Sequence, residues 1–294
     1  IKEILNQFKN KGESFSIIGS GNSYGDCALN KSNIIDINNF NKILQINYKK
    51  KFVIVESGVK LKDLLNVLIP KKLILNNLPG SPNATIGGVI GSNVHGKDSF
   101  KNGVFGNNII SLKILNKLGK IEFLNKKNPK FKLFIGTHGV SGVILEAKLS
   151  LTKIKSNSLE VITKKFSKYR DVIELFKEYK KKNYIYMGCW IDHFSQNGRG
   201  VFKAAKWEKS NTTKFNKIRF NKNFLIKSFY FVLYLFLKLI VFNKFGIKIF
   251  NNMIFYTSSN KKEKNIQFKN FYYPQENILP DEAKLYKNGK VNIQ

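Results

Sequence analysis

Short apolar runs, several of them alternating with polar residues, dominate the first half of the chain and predict strands. The predicted strands are Ser16–Gly19, Ile34–Ile37, Phe52–Glu56, Leu73–Leu75, Ile109–Leu115, Ile121–Leu124 and Val143–Leu151. Lys117–Lys120 predicts a hairpin turn between two of them. Leucines 61, 64, 65 and 68 recur at helical spacing, so residues 59–68 are predicted to form an amphipathic helix. This mixture indicates an α+β fold.

The composition changes after about residue 152. Residues 153–294 contain fewer glycines and more Phe, Tyr and Lys than the residues before them. A chain of 294 residues, of which 43% are hydrophobic, is long enough for two domains with their own cores. We therefore predict one domain over residues 1–152 and a second, partial α+β domain over residues 153–294.

The apolar stretch 224–242 is close in length to a membrane-spanning helix. Lys227 and Lys238 lie inside it, and each would be costly at the centre of a bilayer. Its many aromatic residues are typical of a segment that lies at an interface. We therefore predict a buried or interfacial segment rather than a span.

The formal net charge is +32, with 51 Lys and Arg against 19 Asp and Glu. Such an excess attracts nucleic acid, anionic lipid or phosphorylated substrates, but the lysines are spread along the chain, which favours compositional bias. No zinc-finger, RRM-like or helix-turn-helix signature is present, so no nucleic-acid partner is predicted. Cys27 and Cys189 provide neither a disulfide framework nor metal-ligand spacing, and a reducing, cytoplasmic compartment is expected. The first residues do not have the pattern of a signal peptide, so none is expected.

Three glycine-rich segments carry the candidate chemistry. The first, Gly19-Ser20-Gly21-Asn22-Ser23-Tyr24-Gly25-Asp26, lies between two predicted strands. Clustered glycines allow successive backbone N–H groups to form an anion-binding nest, although such a segment alone can equally be a tight turn.

The second segment runs through Leu78–Pro82 and then Thr85–Lys97, and we read it as a loop without helix or strand periodicity. Small residues between its glycines allow a flat ligand to lie against the main chain. A buried loop with so many backbone polar groups needs partners, which a cofactor can supply. His95, within this loop, can be a structural histidine or a functional one.

The third segment, Gly136-Thr137-His138-Gly139-Val140-Ser141-Gly142-Val143-Ile144, leads into a predicted strand. Taken alone it predicts a turn. As the third such segment in one domain, it indicates another wall of the same ligand site.

The order GxGxSYGD, LPGxxxxTIGGxIGxxVHGKxxxxGxFG and GTHGVSGVI resembles the PCMH-type FAD-binding domain of the vanillyl-alcohol-oxidase superfamily. Within it, the chain is most similar to the decaprenylphosphoryl-β-D-ribose 2′-oxidases, and next to the aldonolactone oxidases. The resemblance covers residues 12–152 well. It continues weakly through residues 186–190, 198–206 and 271–294. It implies a two-subdomain FAD-binding domain followed by a substrate domain that covers the flavin ring.

The resemblance also implies roles for individual residues. Gly19, Gly21, Asn22, Ser23, Tyr24, Gly25 and Asp26 would cradle the pyrophosphate; Gly80, Thr85, Gly87 and Gly88 would line the cofactor; Ser92, Asn93, Val94 and His95 would approach the isoalloxazine; and Gly139, Gly142 and Val143 would hold the adenine-side half. Tyr24, His95 and Lys97 occupy positions of side chains near flavin and substrate, and these are the candidate catalytic residues. Trp190 and Gln294 correspond to substrate-pocket residues. No metal ligand is implied.

The chain departs from the resemblance in two ways. Many lactone oxidases attach FAD through a histidine at the position of Asn22, so non-covalent FAD is expected here, as in the polyprenyl-sugar oxidases. Chains of the family also continue past the position of Gln294, and that part carries a lysine and a tyrosine expected at the active site. A fragment of a longer enzyme is therefore expected, and one that binds FAD poorly by itself.

The implied reaction is oxidation of a secondary hydroxyl of a sugar by hydride transfer to flavin N5. A polyprenyl-phosphate-linked pentose suits the basic charge. It also suits the apolar segment 224–250, and suggests a partner reductase and the inner face of the plasma membrane. Two alternatives remain. One is an aldonolactone oxidase acting on a small soluble lactone, and the other is a non-enzymatic, basic membrane-surface protein with a degenerate flavin fold.

Overall fold

The computed structural model describes residue 3 and residues 11–23, 25–209, 217 and 244–274. Within these ranges the chain forms two compact units that divide between Ile154 and Lys155. Both units contain α-helices as well as β-strands, so the fold is α+β.

A five-stranded antiparallel sheet forms the centre of the first unit, in the order β3-β4-β8-β6-β7. The strands of this unit are β1 (Phe15–Ile18), β2 (Asn33–Asp36), β3 (Ile43–Asn47), β4 (Phe52–Glu56), β5 (Leu73–Ile74), β6 (Ile109–Asn116), β7 (Ile121–Asn125), β8 (Gly142–Ser150) and β9 (Thr152–Lys153). Its helices are α1 (Leu61–Leu68), α2 (Ile86–Gly91) and α3 (Ser99–Asn102), with 3-10 turns at Ile69–Lys71, Phe105–Asn108 and Pro129–Phe134.

The middle of this sheet is the most apolar part of the first unit. Val53 pairs with Leu149, and Val55 pairs with Ala147, and all four are fully buried. Helix α1 buries Leu61, Leu64, Leu65 and Leu68, which are the residues whose spacing predicted it. Burial of one face of the helix explains why an eight-residue segment is stable as a helix.

Strands β1 and β2 form a separate parallel pair. Its apolar side packs on the large sheet where β6 and β8 pair. There Ile35 and Ile37 form one buried cluster with Leu115 and Val143, and Ile17 packs against it. The first glycine-rich loop begins directly after Ile18, the last residue of β1. The packing of β1 therefore holds the start of that loop in place.

The second unit contains a four-stranded antiparallel sheet in the order β11-β12-β10-β13. Its elements are β10 (Ser158–Phe166), α4 (Tyr169–Lys181), β11 (Tyr186–Ile191), β12 (Gly200–Trp207), α5 (Lys244–Thr257), β13 (Lys261–Gln267) and α6 (Phe268–Tyr272). Aromatic side chains cover both faces. Helix α4 places Phe176 edge-on to Phe202, with 5.1 Å between ring centroids. From α6, Phe268 stacks on Trp207 at 5.5 Å.

The predicted elements of the first unit are largely confirmed. Strand β4 has the predicted bounds, and the others differ by one or two residues at their ends. The hairpin turn is present, since Gly119 N–H donates to the carbonyl of Asn116. Strand β3 was not predicted. The apolar stretch 224–242 falls wholly outside the described residues. Among the residues that are described, no helix is long and apolar enough to cross a membrane.

Gly58 provides a test of how tightly the first unit is packed. A Cβ on this residue would lie 2.0 Å from the carbonyl oxygen of Ile37 and 2.7 Å from that of Phe40. We expect Gly58→Ala to lower the free energy of unfolding by about 1–3 kcal/mol, because the main chain around it must move apart. Urea unfolding measures this effect.

The control is Gly80→Ala, since no described atom lies within 4 Å of the added Cβ. Its free energy of unfolding should stay within about 1 kcal/mol of the wild type. Equal effects of the two substitutions would contradict this account of the packing.

Candidate functional site

The second glycine-rich segment contains helix α2, which corrects the expectation of a loop without helical structure. The side chain of Thr85 caps the helix by accepting a hydrogen bond from Gly88 N–H at 3.2 Å. Ile86, Val89 and Ile90 are buried on one side of it. The helix exists in spite of its glycines because this cap and this buried side stabilise it.

The protein itself uses the first N–H groups of α2. Ile86 N–H donates to the carbonyl of Val59 at 2.9 Å, and Gly87 N–H donates to that of Ser57 at 2.7 Å. With Gly88 bonded to Thr85, the first three donors of the helix have protein acceptors. The start of α2 therefore offers no ready anion site, and a ligand has to use other groups.

The first glycine segment packs directly on the start of α2. A Cβ on Gly19 would lie 2.2 Å from Oγ1 of Thr85, so only glycine allows this approach. The amide of Asn38 holds the carbonyl of Gly19 at 2.9 Å. These contacts join β1, β2 and α2 at one point.

The third glycine segment packs on the end of the same helix. Gly136 N–H donates to the carbonyl of Ile90 at 3.0 Å, and His138 N–H donates to that of Gly91 at 2.9 Å. A Cβ on Gly139 would lie 3.2 Å from the side chain of Ile17 in β1. The three segments, distant in sequence, therefore meet around α2.

The loop after Gly19 contains the unused donors. Among the described residues, none accepts a hydrogen bond from the backbone N–H groups of Gly21, Asn22 or Ser23. Gly21 has a φ of 62°, the left-handed conformation found in anion-binding nests. Nearby, Oγ of Ser20 and Oδ1 of Asn38 are shielded from solvent and have no hydrogen-bond partner in the described part of the chain. This loop therefore has backbone donors and side-chain oxygens available to hydrogen-bond a ligand.

The segment after α2 is anchored by Asp98, which is buried. Backbone N–H of Asn77 donates to both oxygens of its carboxylate at 3.1 Å, and the side chain of Asn102 donates at 2.8 Å. His95, close by in sequence, is exposed, and Lys97 is half-buried. Asp98 therefore holds the backbone that carries two of the candidate catalytic residues.

Gly142 and Val143 have packing roles. A Cβ on Gly142 would lie 2.5 Å from the carbonyl oxygen of Leu115, and its φ of 138° disfavours other residues. Val143 is fully buried in the cluster with Ile35 and Leu115. Their place in the third motif is explained by strand packing, and their contact with a ligand stays a prediction.

The remaining predicted residues are dispersed. Ser92 caps the end of α2, Asn93 accepts a hydrogen bond from Gly106 N–H at 2.9 Å, and Val94 is half-buried. Trp190 lies half-buried on β11, the edge strand of the second unit. Gly25 and Asp26 are exposed in the first loop. Tyr24 and Gln294 lie outside the described residues.

Motif reasoning did not identify Asn38, Ser57, Asn77 or Asp98. Asn38 and Ser57 bond to glycine segments, while Asn77 and Asp98 flank the second segment and bond to each other. Each is an ordinary polar residue in its own sequence context. Asp98 had one available signal, a carboxylate directly after the VHGK sequence. The others become visible only when the chain is folded.

The comparisons with known proteins agree with this site. Residues 1–125 match the family described as FAD binding domain. Decaprenylphosphoryl-beta-D-ribose oxidase of Mycolicibacterium smegmatis is 31% identical over 182 residues, covering 60% of this chain and 40% of that protein. L-gulonolactone oxidase of Mus musculus is 27% identical over 196 residues, covering 66% of this chain and 43% of that protein.

Among solved structures, alkyldihydroxyacetonephosphate synthase superposes with a TM-score of 0.60 at 13% identity. The match covers 72% of this chain and 46% of that one, and it shows a shared fold. The chain spans less than half of each of these relatives.

FAD is the cofactor of this family, and the residues present suit it. FAD carries a pyrophosphate, which needs hydrogen-bond donors, and the N–H groups of residues 21–23 are available for one. It also carries a flat ring system, which needs a surface of small residues. Gly88, within α2, and Gly136, whose N–H bonds to Ile90 of α2, are both exposed small residues suited to such a contact.

Asp98 generates a prediction about stability. Burial raises the pKa of its carboxyl above the ordinary value of 3.8, and the hydrogen bonds from Asn102 and Asn77 oppose this rise. We expect Asp98→Ala to lower the free energy of unfolding by about 1–3 kcal/mol, because the Asn77 N–H loses its buried acceptor. Urea unfolding measures the loss.

The pH dependence of Asp98→Asn tests the raised pKa. A raised pKa means that the folded state binds the proton more tightly, so the protonated carboxyl contributes stability below 3.8 that is lost as pH rises through the folded pKa. Stability of the wild type relative to Asp98→Asn should therefore fall as the pH rises from about 3.8 through the raised pKa of the folded state. A constant difference would contradict the shift.

Proposed function

We propose, from the membership of residues 1–125 in this family of FAD binding domains, that the protein is an FAD-dependent oxidoreductase that oxidises a secondary hydroxyl of a sugar. The substrate we propose is a polyprenyl-phosphate-linked pentose, whose 2′-hydroxyl becomes a ketone. The observation that carries the proposal is the meeting of three glycine segments around α2, with unused N–H donors beside them.

The names of the relatives support an oxidase of sugars or sugar lactones. One of them, at 31% identity, is named for a polyprenyl-phosphate-linked ribose. Asn22 favours this substrate class over the lactones, because the resembling lactone oxidases have a flavin-linking histidine there. The amide of Asn22 instead donates to the carbonyl of Ser20 at 3.4 Å, and it has no nucleophilic nitrogen. We therefore propose that FAD is held without a covalent bond.

The residues proposed to hold the cofactor follow from the geometry and the resemblance together. The Gly19–Asp26 loop would bind the pyrophosphate through its backbone. Gly80, Thr85, Gly87 and Gly88 would line the cofactor, and residues 92–95 would approach its ring. When bound, FAD supplies the hydride acceptor, and the protein contributes binding and orientation.

The substrate's chemistry then sets what the side chains must do. The carbon bearing the hydroxyl loses a hydride, and the hydroxyl oxygen loses its proton, so that a C=O bond forms. A side chain must therefore accept or direct that proton. Lys97 and Tyr24 are the candidates for this role, and His95 is the candidate for contact with ring and substrate. A reductase acting on the ketone would complete an epimerisation.

A polyprenyl tail lies in a membrane, so the enzyme we propose works at the inner surface of the plasma membrane. The net charge of +32 favours an anionic leaflet. The second candidate function, oxidation of a small soluble lactone, is supported by the L-gulonolactone oxidase relative and needs no membrane. Turnover of the two substrate classes by the same preparation distinguishes them.

The cofactor prediction is checked by an absorbance spectrum of the protein purified from its full gene, because residues 1–294 alone are expected to bind FAD poorly. We expect flavin absorbance bands at about 375 and 450 nm. Acid precipitation should release the flavin into the supernatant. Flavin that stays with the precipitate would contradict non-covalent binding. A colourless protein that cannot be loaded with FAD would contradict the enzyme itself.

The proton-transfer prediction is checked by Lys97→Met. We expect kcat with the polyprenyl-phosphate pentose to fall by about 10²-fold or more, while flavin content stays unchanged. The matched control is Lys101→Met, which removes an exposed lysine from α3 and should leave kcat unchanged. Wild-type kcat in Lys97→Met would remove this residue from the mechanism.

A further inference from the structure

Helix α5, in the second unit, presents an apolar face to solvent. Phe245, Ile249, Met253 and Tyr256 are 74%, 51%, 54% and 70% exposed. Their spacing of four, four and three residues places them on one side of the helix. Four large apolar side chains exposed together on one helix face mark an interaction surface rather than scattered surface residues.

The opposite side of α5 is held firmly to the unit. Asp192 is buried and accepts hydrogen bonds from Arg199 at 3.0 Å and from the side chain of Asn251 at 2.7 Å. Arg199 also bonds to the side chain of Asn252. The helix is therefore anchored through its polar side, and the exposure of its apolar side follows from that anchoring.

Positive charge borders the apolar face. Lys248 lies between Phe245 and Ile249 in sequence and is exposed. At the other end, Nζ of Lys165 lies 5.6 Å from the ring centroid of Tyr256, and Cζ of Arg199 lies 5.4 Å from it. Helix α5 has no acidic residue. A protein partner would need Asp or Glu side chains placed opposite these cations. An anionic bilayer offers negatively charged headgroups over its whole surface.

The sequence around α5 has the same character. Between Glu208 and Glu263 the chain contains no Asp or Glu, while Lys and Arg recur throughout and Phe and Tyr are abundant. Basic residues beside exposed aromatic and aliphatic side chains are the composition of helices that lie in the headgroup region of anionic membranes. A self-association surface of this charge would repel its own copy.

We propose that the apolar face of α5, formed by Phe245, Ile249, Met253 and Tyr256, docks on the surface of an anionic lipid bilayer. The side chains enter the headgroup region while Lys248 and Lys165 meet lipid phosphates. This surface deepens the membrane association proposed above. Its test needs neither flavin nor substrate, so its failure leaves the FAD assignment untouched.

The test is co-sedimentation of the full protein with vesicles of phosphatidylcholine and phosphatidylglycerol, and with vesicles of phosphatidylcholine alone. We expect binding to the anionic vesicles and much less to the neutral ones, with binding weakened by salt. Phe245→Ser combined with Met253→Ser should lower the partition coefficient by about tenfold or more. Lys248→Glu should lower it on anionic vesicles only.

The matched control is Phe123→Ser, because Phe123 is a phenylalanine of the first unit that is also 74% exposed. It should bind vesicles as the wild type does. Thermal unfolding should be unchanged in all variants, since the replaced side chains are exposed. Wild-type binding by the double variant would place the membrane contact elsewhere and overturn the proposal. Absence of binding, with light scattering showing a dimer that the double variant abolishes, would overturn it in favour of a second copy.

Discussion

The close approach of backbones around helix α2 is the constraint on which the first unit depends. Gly19 packs against the capping Thr85, Gly87 bonds to Ser57, and the third glycine segment bonds to the last carbonyls of the helix. A Cβ on Gly19, Gly87 or Gly136 would lie within 3.2 Å of a neighbouring residue. The glycines are therefore needed first for packing, and the ligand surface results from that packing.

This origin explains how a site with few charged side chains can suit a dinucleotide. Backbone N–H groups cannot be repositioned by rotamer changes, so a nest formed by them is preorganised. The same rigidity separates the tasks of the site. In the site that we propose, the main chain around α2 would hold the cofactor, while His95 and Lys97 lie on the segment that the buried Asp98 fixes in place.

Much of the first unit could be predicted from sequence because its strands and helix α1 have clear apolar patterns. Strand β3 was missed because Ile43–Asn47 is a partly exposed edge strand with weak alternation. Helix α2 was missed because its glycines concealed Ile86, Val89 and Ile90, which do have helical spacing. The motifs located the glycine segments, but not Asn38 or Ser57, because those side chains acquire their roles only through contacts distant in sequence.

The strand order has a consequence for co-translational folding. Strand β4 pairs with β8, and β8 also pairs with β6, so the middle of the large sheet is closed by its last long strand. Until residues 142–150 have left the exit tunnel, the backbone N–H and C=O groups on one edge of β4 have no partner strand. The nascent first unit is thus exposed to mispairing for most of its synthesis, and a chaperone that shields β4 would speed its maturation.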